Sequence, residues 1–190
     1  MNLILASKSP RRIEIMKELG FDFKVVPSNC DEFVDSYSSN EDLVMALAKK
    51  KGDSVFKDYP NDLILSFDTL VFLGDEVLGK PQNYEDCVRM LQSLENKKHL
   101  VITGAYIKAK DYEDLFFSEC FVHIDHIDKK DIEEYAKTEE PYDKAGGYAV
   151  QGFIGRYIDR VDGDFFSVIG LPKSLVYKKV TDYLNSKKWK

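Results

Sequence analysis

The chain has 190 residues, of which 44% are hydrophobic and 32% are charged, the composition of a globular protein with a sizeable core. Its net charge of −6 at pH 7 argues against a general nucleic-acid binder and against a protein that binds anionic membranes. No apolar run approaches the roughly 18 residues of a membrane helix, and the N-terminus lacks the pattern of a signal peptide, so we expect neither.

The first predicted elements are a strand and a helix joined by a polar loop. Residues 3–6 form a short apolar run that is typical of a strand. Over residues 13–19 the apolar spacing predicts a helix with one buried face, formed by Ile15, Met16 and Leu19. Ser9 is a favourable N-cap for this helix, and Pro10 suits its first position.

Two arginines stand at the start of this helix. The helix dipole disfavours cations in the first turn by about 0.3–1 kcal/mol, so the pair Arg11 and Arg12 suggests a bound anion. Backbone N–H groups, the hydroxyls of Ser7 and Ser9 and two guanidinium groups would together hold a phosphate. A capped surface helix with two solvated arginines explains the same residues equally well.

An acidic stretch follows the second predicted strand. The strand covers residues 22–26, and residues 28–42 are polar and contain no Lys or Arg. Asp31 and Glu32 could bring a carboxylate to Mg²⁺. A solvated loop leading to a helix is the simpler interpretation of the same residues.

The next helix is predicted to start at about residue 41, with Asn40 as its cap. Three consecutive lysines, ending at Lys51, follow its apolar positions, and lysines near a helix C-terminus are favourable. We expect Gly52 to end or kink this helix.

Asp68 is the most unusual acid in the chain. Residues 62–67 predict a strand that continues through 70–73 and turns tightly at 74–75 into 76–78. A carboxylate within such an apolar run is costly to bury unpaired. We therefore expect Asp68 to meet a metal ion or a cation, or to act as a general base, with capping of local backbone groups as the alternative.

The middle of the chain continues the alternation of strands and helices. Lys80 lies between a glycine and a proline, on a loop of defined shape. The further elements predicted here are a helix at about 85–94, strands at 99–109 and 115–125, and a helix at about 129–137.

A second polar stretch, residues 140–152, combines three glycines with Asp143, Lys144 and Gln151. A loop of this composition rarely exists for packing alone. We predict a strand within 153–158 and a final helix opened by Gly170-Leu171-Pro172.

The cysteines favour a reducing compartment. Cys30, Cys87 and Cys120 are odd in number and widely spaced, without a C-x-x-C pair. This pattern predicts reduced, structural cysteines and a cytoplasmic protein rather than a disulfide framework or a zinc site.

Taken together, these residues are the inventory for metal-assisted attack of water on a phosphate chain. They comprise cations at a helix start, carboxylates for a divalent metal, a glycine-flanked lysine and a polar glycine loop. The sequence lacks the Walker motif G-x-x-x-x-G-K-[ST] and the dinucleotide fingerprint. The residues alone therefore predict an α/β protein that handles phosphates.

Six motifs in order resemble the Maf family of nucleoside triphosphate pyrophosphatases, historically linked to inhibition of septum formation. The motifs are S-x-S-P-R-R, S-F-D-T-L-V, L-G-K-P, I-T-G, E-P-x-D-K-A-G-x-Y-x-x-Q-G and S-V-I-G-L-P. The resemblance covers nearly the whole chain, residues 1–190, as one domain. It implies an α/β fold with an elongated mixed sheet flanked by helices, and two lobes around a nucleotide cleft, as in the inosine triphosphatase-like fold.

The same resemblance implies hydrolysis of a nucleoside triphosphate to the monophosphate and pyrophosphate, with Mg²⁺ or Mn²⁺ as cofactor, and it suggests a homodimer. Its catalytic residues would be Asp68, Glu32 and Lys51, with Glu32 and Asp68 as metal ligands. The substrate-binding residues would be Ser7, Arg11, Arg12, Lys80, Asp143, Lys144 and Gln151. Two neighbours depart from the family pattern, because Phe67 and Gly52 each stand where alanine is usual.

Substrate preference is expected from three of these residues. Arg12, Lys80 and Gln151 resemble the branch that prefers dTTP and UTP, and a glutamine amide can pair with the edge of uracil. We expect Arg11 on the phosphate chain and Arg12 nearer the base. The alternatives are a 7-methyl-GTP pyrophosphatase and a nucleotide-binding division regulator with little turnover; a nucleic-acid-binding module is disfavoured by the acidic charge balance.

Overall fold

The structure is a computed structural model that describes residues 1–188, with Lys188 described by its backbone alone. The strands are β1 Leu3–Leu5, β2 Phe23–Val25, β3 Leu63–Leu73, β4 Glu76–Leu78, β5 Lys97–Ala109, β6 Tyr112–Ile124 and β7 Ile158–Gly163. The α-helices are α1 Pro10–Glu18, α2 Asn40–Phe56, α3 Tyr84–Leu94, α4 Lys129–Tyr135, α5 Phe165–Ile169 and α6 Lys173–Lys188. None of the helices in this part of the chain is long and apolar enough to cross a bilayer.

The strands form one mixed sheet in the order β2-β1-β3-β5-β6-β7, with β4 paired to β3. β1 runs parallel to both of its neighbours, so that Leu5 lies opposite Val25 on one side and Leu65 on the other. β4 is antiparallel to β3, and β7 is antiparallel to β6. The mixed sheet with flanking helices confirms the expected fold class.

Packing divides the chain into two compact units. The first contains residues 1–68, 103–118 and 170–188. The second contains residues 69–102 and 119–169. In the first unit, β1 and the start of β3 are fully apolar and buried, as parallel strands covered on both faces usually are.

Helix α2 packs closely on the sheet through two glycines. A Cβ on Gly52 would lie 2.5 Å from both Ser66 Oγ and Tyr106 Cδ1, and one on Gly104 would lie 2.4 Å from the carbonyl oxygen of Val44. The expectation that Gly52 ends or kinks the helix was wrong, since α2 continues to Phe56. Gly52 is instead a contact site for the sheet.

The caps confirm most of the local predictions and change one. The side chain of Ser9 caps α1, with Pro10 in its first turn. At α2 the capping side chain is that of Ser39, one residue before the expected Asn40. Gly74 adopts a φ of 59° in the predicted turn between β3 and β4, a conformation that glycine adopts readily.

The second unit differs from prediction at residues 153–158. Phe153–Tyr157 is a 3₁₀ helix, and β7 begins only at Ile158. Gly155 lies against the preceding loop, because a Cβ there would be 2.4 Å from the carbonyl oxygen of Val150. An extended strand would not allow this contact with the preceding loop, so the apolar residues were assigned to the wrong element.

The three cysteines are free thiols. Cys87 and Cys120 are buried, and burial raises the pKa of each thiol to about 11. Both are therefore protonated at neutral pH and serve as small apolar residues of the core.

A buried histidine lies in the second unit. His99 is only 2% exposed, and its Nε2 lies 2.6 Å from the hydroxyl oxygen of Tyr148. Burial, with a smaller contribution from His123, lowers the pKa of His99 from 6.5 to about 4. The imidazole is therefore neutral at pH 7.

We predict that His99 makes the folded state acid-sensitive. Between pH 6.5 and about 4 the unfolded chain binds a proton at His99 that the folded chain does not, so stability falls as the pH falls. This single group should account for about 2 kcal/mol of the free energy of unfolding lost between pH 7 and pH 5. Urea unfolding at both pH values, with His99→Gln as the comparison, measures this contribution; an equal pH dependence in the two proteins would contradict it.

Candidate active site

Three of the expected site residues lie on or after strands that pair in parallel. The ladder continues past the strand ends, since the Ala6 N–H donates to the carbonyl of Leu65 at 2.8 Å and the Val26 N–H to that of Leu5 at 3.0 Å. The carboxyl ends of β1 and β2 therefore lie side by side, next to Leu65 of β3. Ser7 and Glu32 follow these two ends in the chain, and Asp68 lies on β3, three residues past Leu65. Open α/β sheets bind ligands at the carboxyl ends of parallel strands.

The start of α1 forms a compact polar loop at these strand ends. The hydroxyl of Ser9 accepts the Arg12 N–H at 3.5 Å, and that of Ser7 accepts the Ser9 N–H at 3.1 Å. Ser7 is buried, with 6% of its surface exposed. The first turn of α1 contains no acidic residue, and Arg11 and Arg12 leave it cationic. This combination of N–H groups, hydroxyls and cations fits a phosphate.

Lys51 joins the two acids expected to be catalytic. Its Nζ contacts Asp68 Oδ1 and lies 3.0 Å from Glu32 Oε1. The side chains of Lys51 and Asp68 are 12% and 8% exposed, whereas that of Glu32 is 56% exposed. Asp68 is thus a buried carboxylate with a cationic partner, as its place in an apolar strand predicted.

The neighbouring acid has a different partner. Asp31 binds the ammonium of Lys50, which also donates to the carbonyl of Phe33 at 2.8 Å. The Lys50 hydrogen bond lowers the pKa of the exposed Asp31 carboxyl. Of the two acids that the sequence left open, Glu32 is the one that contacts Lys51, the partner of Asp68.

The two carboxylates fit a divalent metal. Both bind the ammonium group of Lys51, so a cation already compensates their negative charge at this position. Oxygen ligands from one or two carboxylates, completed by water and substrate phosphates, are what Mg²⁺ commonly uses in proteins. Within residues 1–188 no group of three or more His, Cys, Asp or Glu side chains is arranged to hold a metal, so the protein alone supplies few ligands.

Arg12 contacts two main-chain carbonyls from distant parts of the chain. Its Nε donates to Gly170 O at 2.7 Å and its Nη1 to Phe67 O at 2.9 Å, with the guanidinium 5.8 Å from the centre of the Phe67 ring. Burial lowers its pKa to about 10, and Arg11 acts in the same direction, whereas Asp68 and Glu32 act against it. Arg12 therefore fixes the backbone that carries Asp68, a role that the sequence did not reveal.

The remaining expected residues lie in the second unit. The Gly146 N–H donates to Gly79 O at 2.9 Å, and Gly146 and Gly147 both adopt left-handed backbone angles, with φ of 70° and 72°. A Cβ on Gly147 would lie 3.0 Å from Pro81 Cγ. These contacts bring the loop of Lys80 against the segment that follows Asp143 and Lys144.

Lys144 and Gln151 are held by their surroundings in different ways. The Lys144 ammonium contacts the Asp143 carboxylate and the carbonyl of Glu140, and its side chain is 11% exposed. The side chain of Gln151 is exposed. Gly152, next to it, allows the Glu140 carboxylate to approach, because a Cβ there would lie 1.8 Å from Oε1.

The structure thus divides the expected site residues between the units. The first unit contains Ser7, Arg11, Arg12, Glu32, Lys51 and Asp68. The second contains Lys80, Asp143, Lys144 and Gln151. Sequence reasoning missed the contact of Glu140 with Gly152 and the pairing of His99 with Tyr148. The sequence signal for the latter was a histidine at the start of an apolar strand.

The chain shares its fold with a solved structure and belongs to a defined family. A solved structure, the Ham1 protein of Staphylococcus aureus, matches 83% of this chain and 80% of its own length with a TM-score of 0.52 at 14% identity, which establishes the fold alone. The family described as Maf-like protein matches residues 2–183. The chain is therefore a member of the Maf family.

Its curated relatives are similar over most of their length. A protein of Caldicellulosiruptor bescii is 43% identical over 176 residues, covering 90% of this chain and 88% of the relative. One of Thermosipho africanus is 44% identical over 182 residues, covering 96% and 93%. One of Acholeplasma laidlawii is 40% identical over 182 residues, covering 95% and 96%. All three relatives are named dTTP/UTP pyrophosphatase.

Proposed function

We propose that this protein hydrolyses nucleoside triphosphates, above all dTTP and UTP, to the monophosphate and pyrophosphate. The names of its relatives support this substrate class. The observation that carries the proposal is the buried Asp68 carboxylate, bound to Lys51 near the strand ends where Ser7 and α1 form a polar loop suited to an anion. A carboxylate, a cation and such a loop suit attack of water on a phosphate chain.

Glu32 and Asp68 would hold the divalent cation, Mg²⁺ or Mn²⁺. When bound, such an ion lowers the pKa of a water ligand and neutralises charge on the phosphate oxygens. With such an ion, the two carboxylates and Lys51 would carry a net positive charge, which suits an anionic phosphate chain.

In the chemical step, Asp68 accepts a proton from the attacking water. The water oxygen bonds to the α-phosphorus, the bond from that phosphorus to the bridging oxygen breaks, and its electron pair leaves with pyrophosphate. Arg11, Lys51 and Lys80 stabilise the charge that develops on the phosphate oxygens. Arg12 holds the Phe67 carbonyl, and so the backbone on which Asp68 is oriented.

We assign recognition of the base to Gln151. A primary amide both donates and accepts, which matches the O4 and N3–H of uracil or thymine. Asp143 and Lys144 hold the loop that leads to this residue. A preference for 7-methyl-GTP is the alternative within the same chemistry.

We also propose a cytoplasmic location, because all three cysteines are free thiols. The partner is the nucleotide itself, and the role is removal of unwanted nucleotides, with a link to cell division. A homodimer is the assembly that the family resemblance suggests.

The test is pyrophosphate release from dTTP, UTP and 7-methyl-GTP with Mg²⁺, Mn²⁺ or Co²⁺. We expect the two pyrimidine nucleotides to be hydrolysed with higher kcat/KM than 7-methyl-GTP. Binding without hydrolysis under all three metals would favour a regulator with little turnover instead. A higher kcat/KM for 7-methyl-GTP than for dTTP and UTP would favour the branch of the family that prefers 7-methyl-GTP.

The two arginines of α1 should have different effects on substrate preference. Arg11→Ala should lower kcat/KM for every nucleotide by about tenfold or more, because a charge-assisted hydrogen bond contributes about 1.5–3 kcal/mol. Arg12→Ala should also change the ratio of dTTP to 7-methyl-GTP hydrolysis. Steady-state kinetics below the unfolding temperature of both variants measures this difference. An identical preference in both variants would remove Arg12 from base selection and favour a role in holding the backbone at Phe67 and Gly170.

A further inference from the structure

A polar pair of side chains is buried in the core of the second unit. The expected catalytic carboxylates, Glu32 and Asp68, belong to the first unit. His99, on β5, and Tyr148, after the glycine segment 145–147, are 2% and 5% exposed. Their side chains are joined at 2.6 Å, with ring centroids 5.5 Å apart and ring planes at 89°. The contact bridges 49 positions in the chain.

The His99–Tyr148 pair has a feature that packing alone does not explain. His99 Nδ1 has no hydrogen-bond partner among the residues that the structure describes. A buried nitrogen without a partner destabilises the fold, whereas an apolar side chain of similar size would avoid this penalty. What the imidazole provides and an apolar side chain cannot is a directional bond to the Tyr148 hydroxyl.

That bond fixes the end of the glycine segment. Tyr148 directly follows Gly146 and Gly147, whose left-handed backbone places them against Val71 and Pro81. The Gly146 N–H donates to Gly79 O at 2.9 Å. The segment is therefore held at one end by the loop of Lys80 and at the other by His99.

Both partners are neutral at physiological pH. Burial lowers the pKa of His99 to about 4 and raises the pKa of Tyr148 above its ordinary value. The bond thus joins two neutral groups, an imidazole and a phenol. The pair therefore adds no charge to the unit that contains Lys80 and Lys144, the lysines proposed to bind phosphate.

We propose that His99 is a positioning residue for substrate binding: through the Tyr148 hydroxyl it holds segment 143–147 against the Lys80 loop. Lys80 and Lys144 are thereby presented in one arrangement to the triphosphate. This inference rests on the proposed function, in which both lysines bind substrate. It concerns binding more than chemistry, because Asp68 and Lys51 belong to the other unit.

The kinetic test uses Tyr148→Phe, His99→Leu and the double variant. Each single variant should raise KM for dTTP by about tenfold, roughly the value of one lost hydrogen bond, with kcat changed less than about twofold. The KM of the double variant should not exceed the higher of the two single-variant values, because both substitutions remove the same bond. Tyr157→Phe is the matched control: it loses a hydroxyl bond to Asp131 in the same unit and should leave KM unchanged.

A structural role alone would lower the unfolding temperature and leave KM unchanged below it. Unchanged KM in Tyr148→Phe, or effects that multiply in the double variant, would overturn the proposal. Tyr148→Phe preserves the ring, so it keeps the test valid if His99→Leu does not fold.

Hydrogen exchange separates this inference from the proposed function. The Gly146 amide should exchange about tenfold faster in Tyr148→Phe than in the wild type, with no change in the amides of α3. If the wild type hydrolyses no nucleotide, the proposed function fails, and the exchange rate still decides whether the pair holds the segment. Equal exchange of Gly146 in both proteins would overturn the positioning role.

Discussion

Asp68→Asn should lower kcat for dTTP at least about 100-fold, the usual scale for loss of a general base. Asparagine has nearly the same shape as aspartate but cannot take a proton from water. Lys51 keeps its contact with Glu32 at 3.0 Å, so the ammonium retains a carboxylate partner and the chain should fold. Steady-state kinetics and thermal unfolding on the same preparation measure both effects.

Glu113→Gln is the matched control for Asp68→Asn. Glu113 accepts hydrogen bonds from Lys108 and Lys49, which lower the pKa of its carboxyl to about 2. Its loss also weakens carboxylate–lysine contacts, here two at the surface, each of which contributes about 0–1 kcal/mol and should not affect turnover. Near-normal kcat in Asp68→Asn would show that another group takes the proton.

Gly104→Ala should destabilise the protein by about 3 kcal/mol, at the upper end for an overpacked core. The added Cβ would lie 2.4 Å from the carbonyl oxygen of Val44 and 2.8 Å from Met45 N. These are main-chain atoms of α2, so a change of rotamer cannot relieve the clash. The unfolding temperature should fall by roughly 6–12 °C for a chain of this size.

This substitution should also reduce turnover, since α2 carries Lys51. Gly79→Ala is the stability control, because a Cβ at Gly79 would meet no atom within 4 Å. It should leave the unfolding temperature unchanged within about 2 °C, the shift for a surface substitution of about 0.5 kcal/mol. An equal unfolding temperature in Gly104→Ala and the wild type would mean that α2 does not approach the sheet this closely.

Features of the fold that depend on neighbouring residues were predictable from the sequence. The cap at Ser9 and the turn at Gly74 involve groups a few residues apart, and both were correct. The burial of Asp68 followed from its position in an apolar strand, since an ion there needs a partner. The ordered motifs identified the family.

Features that depend on distant parts of the chain were not predictable in this way. Neighbouring residues in the sequence predict that Gly52 ends or kinks the helix. Its close approach to Ser66 and Tyr106 explains instead why a glycine stands inside α2. The two acceptors of Arg12 lie 55 and 158 positions away. Such partners follow from topology, which a single sequence does not contain.

The central claim is attack of water on the α-phosphorus of a pyrimidine triphosphate. Hydrolysis of dTTP in ¹⁸O-labelled water, followed by mass analysis of both products, tests it most directly. We expect one ¹⁸O atom in dTMP and unlabelled pyrophosphate. Label in pyrophosphate, or formation of dTDP and phosphate, would contradict it.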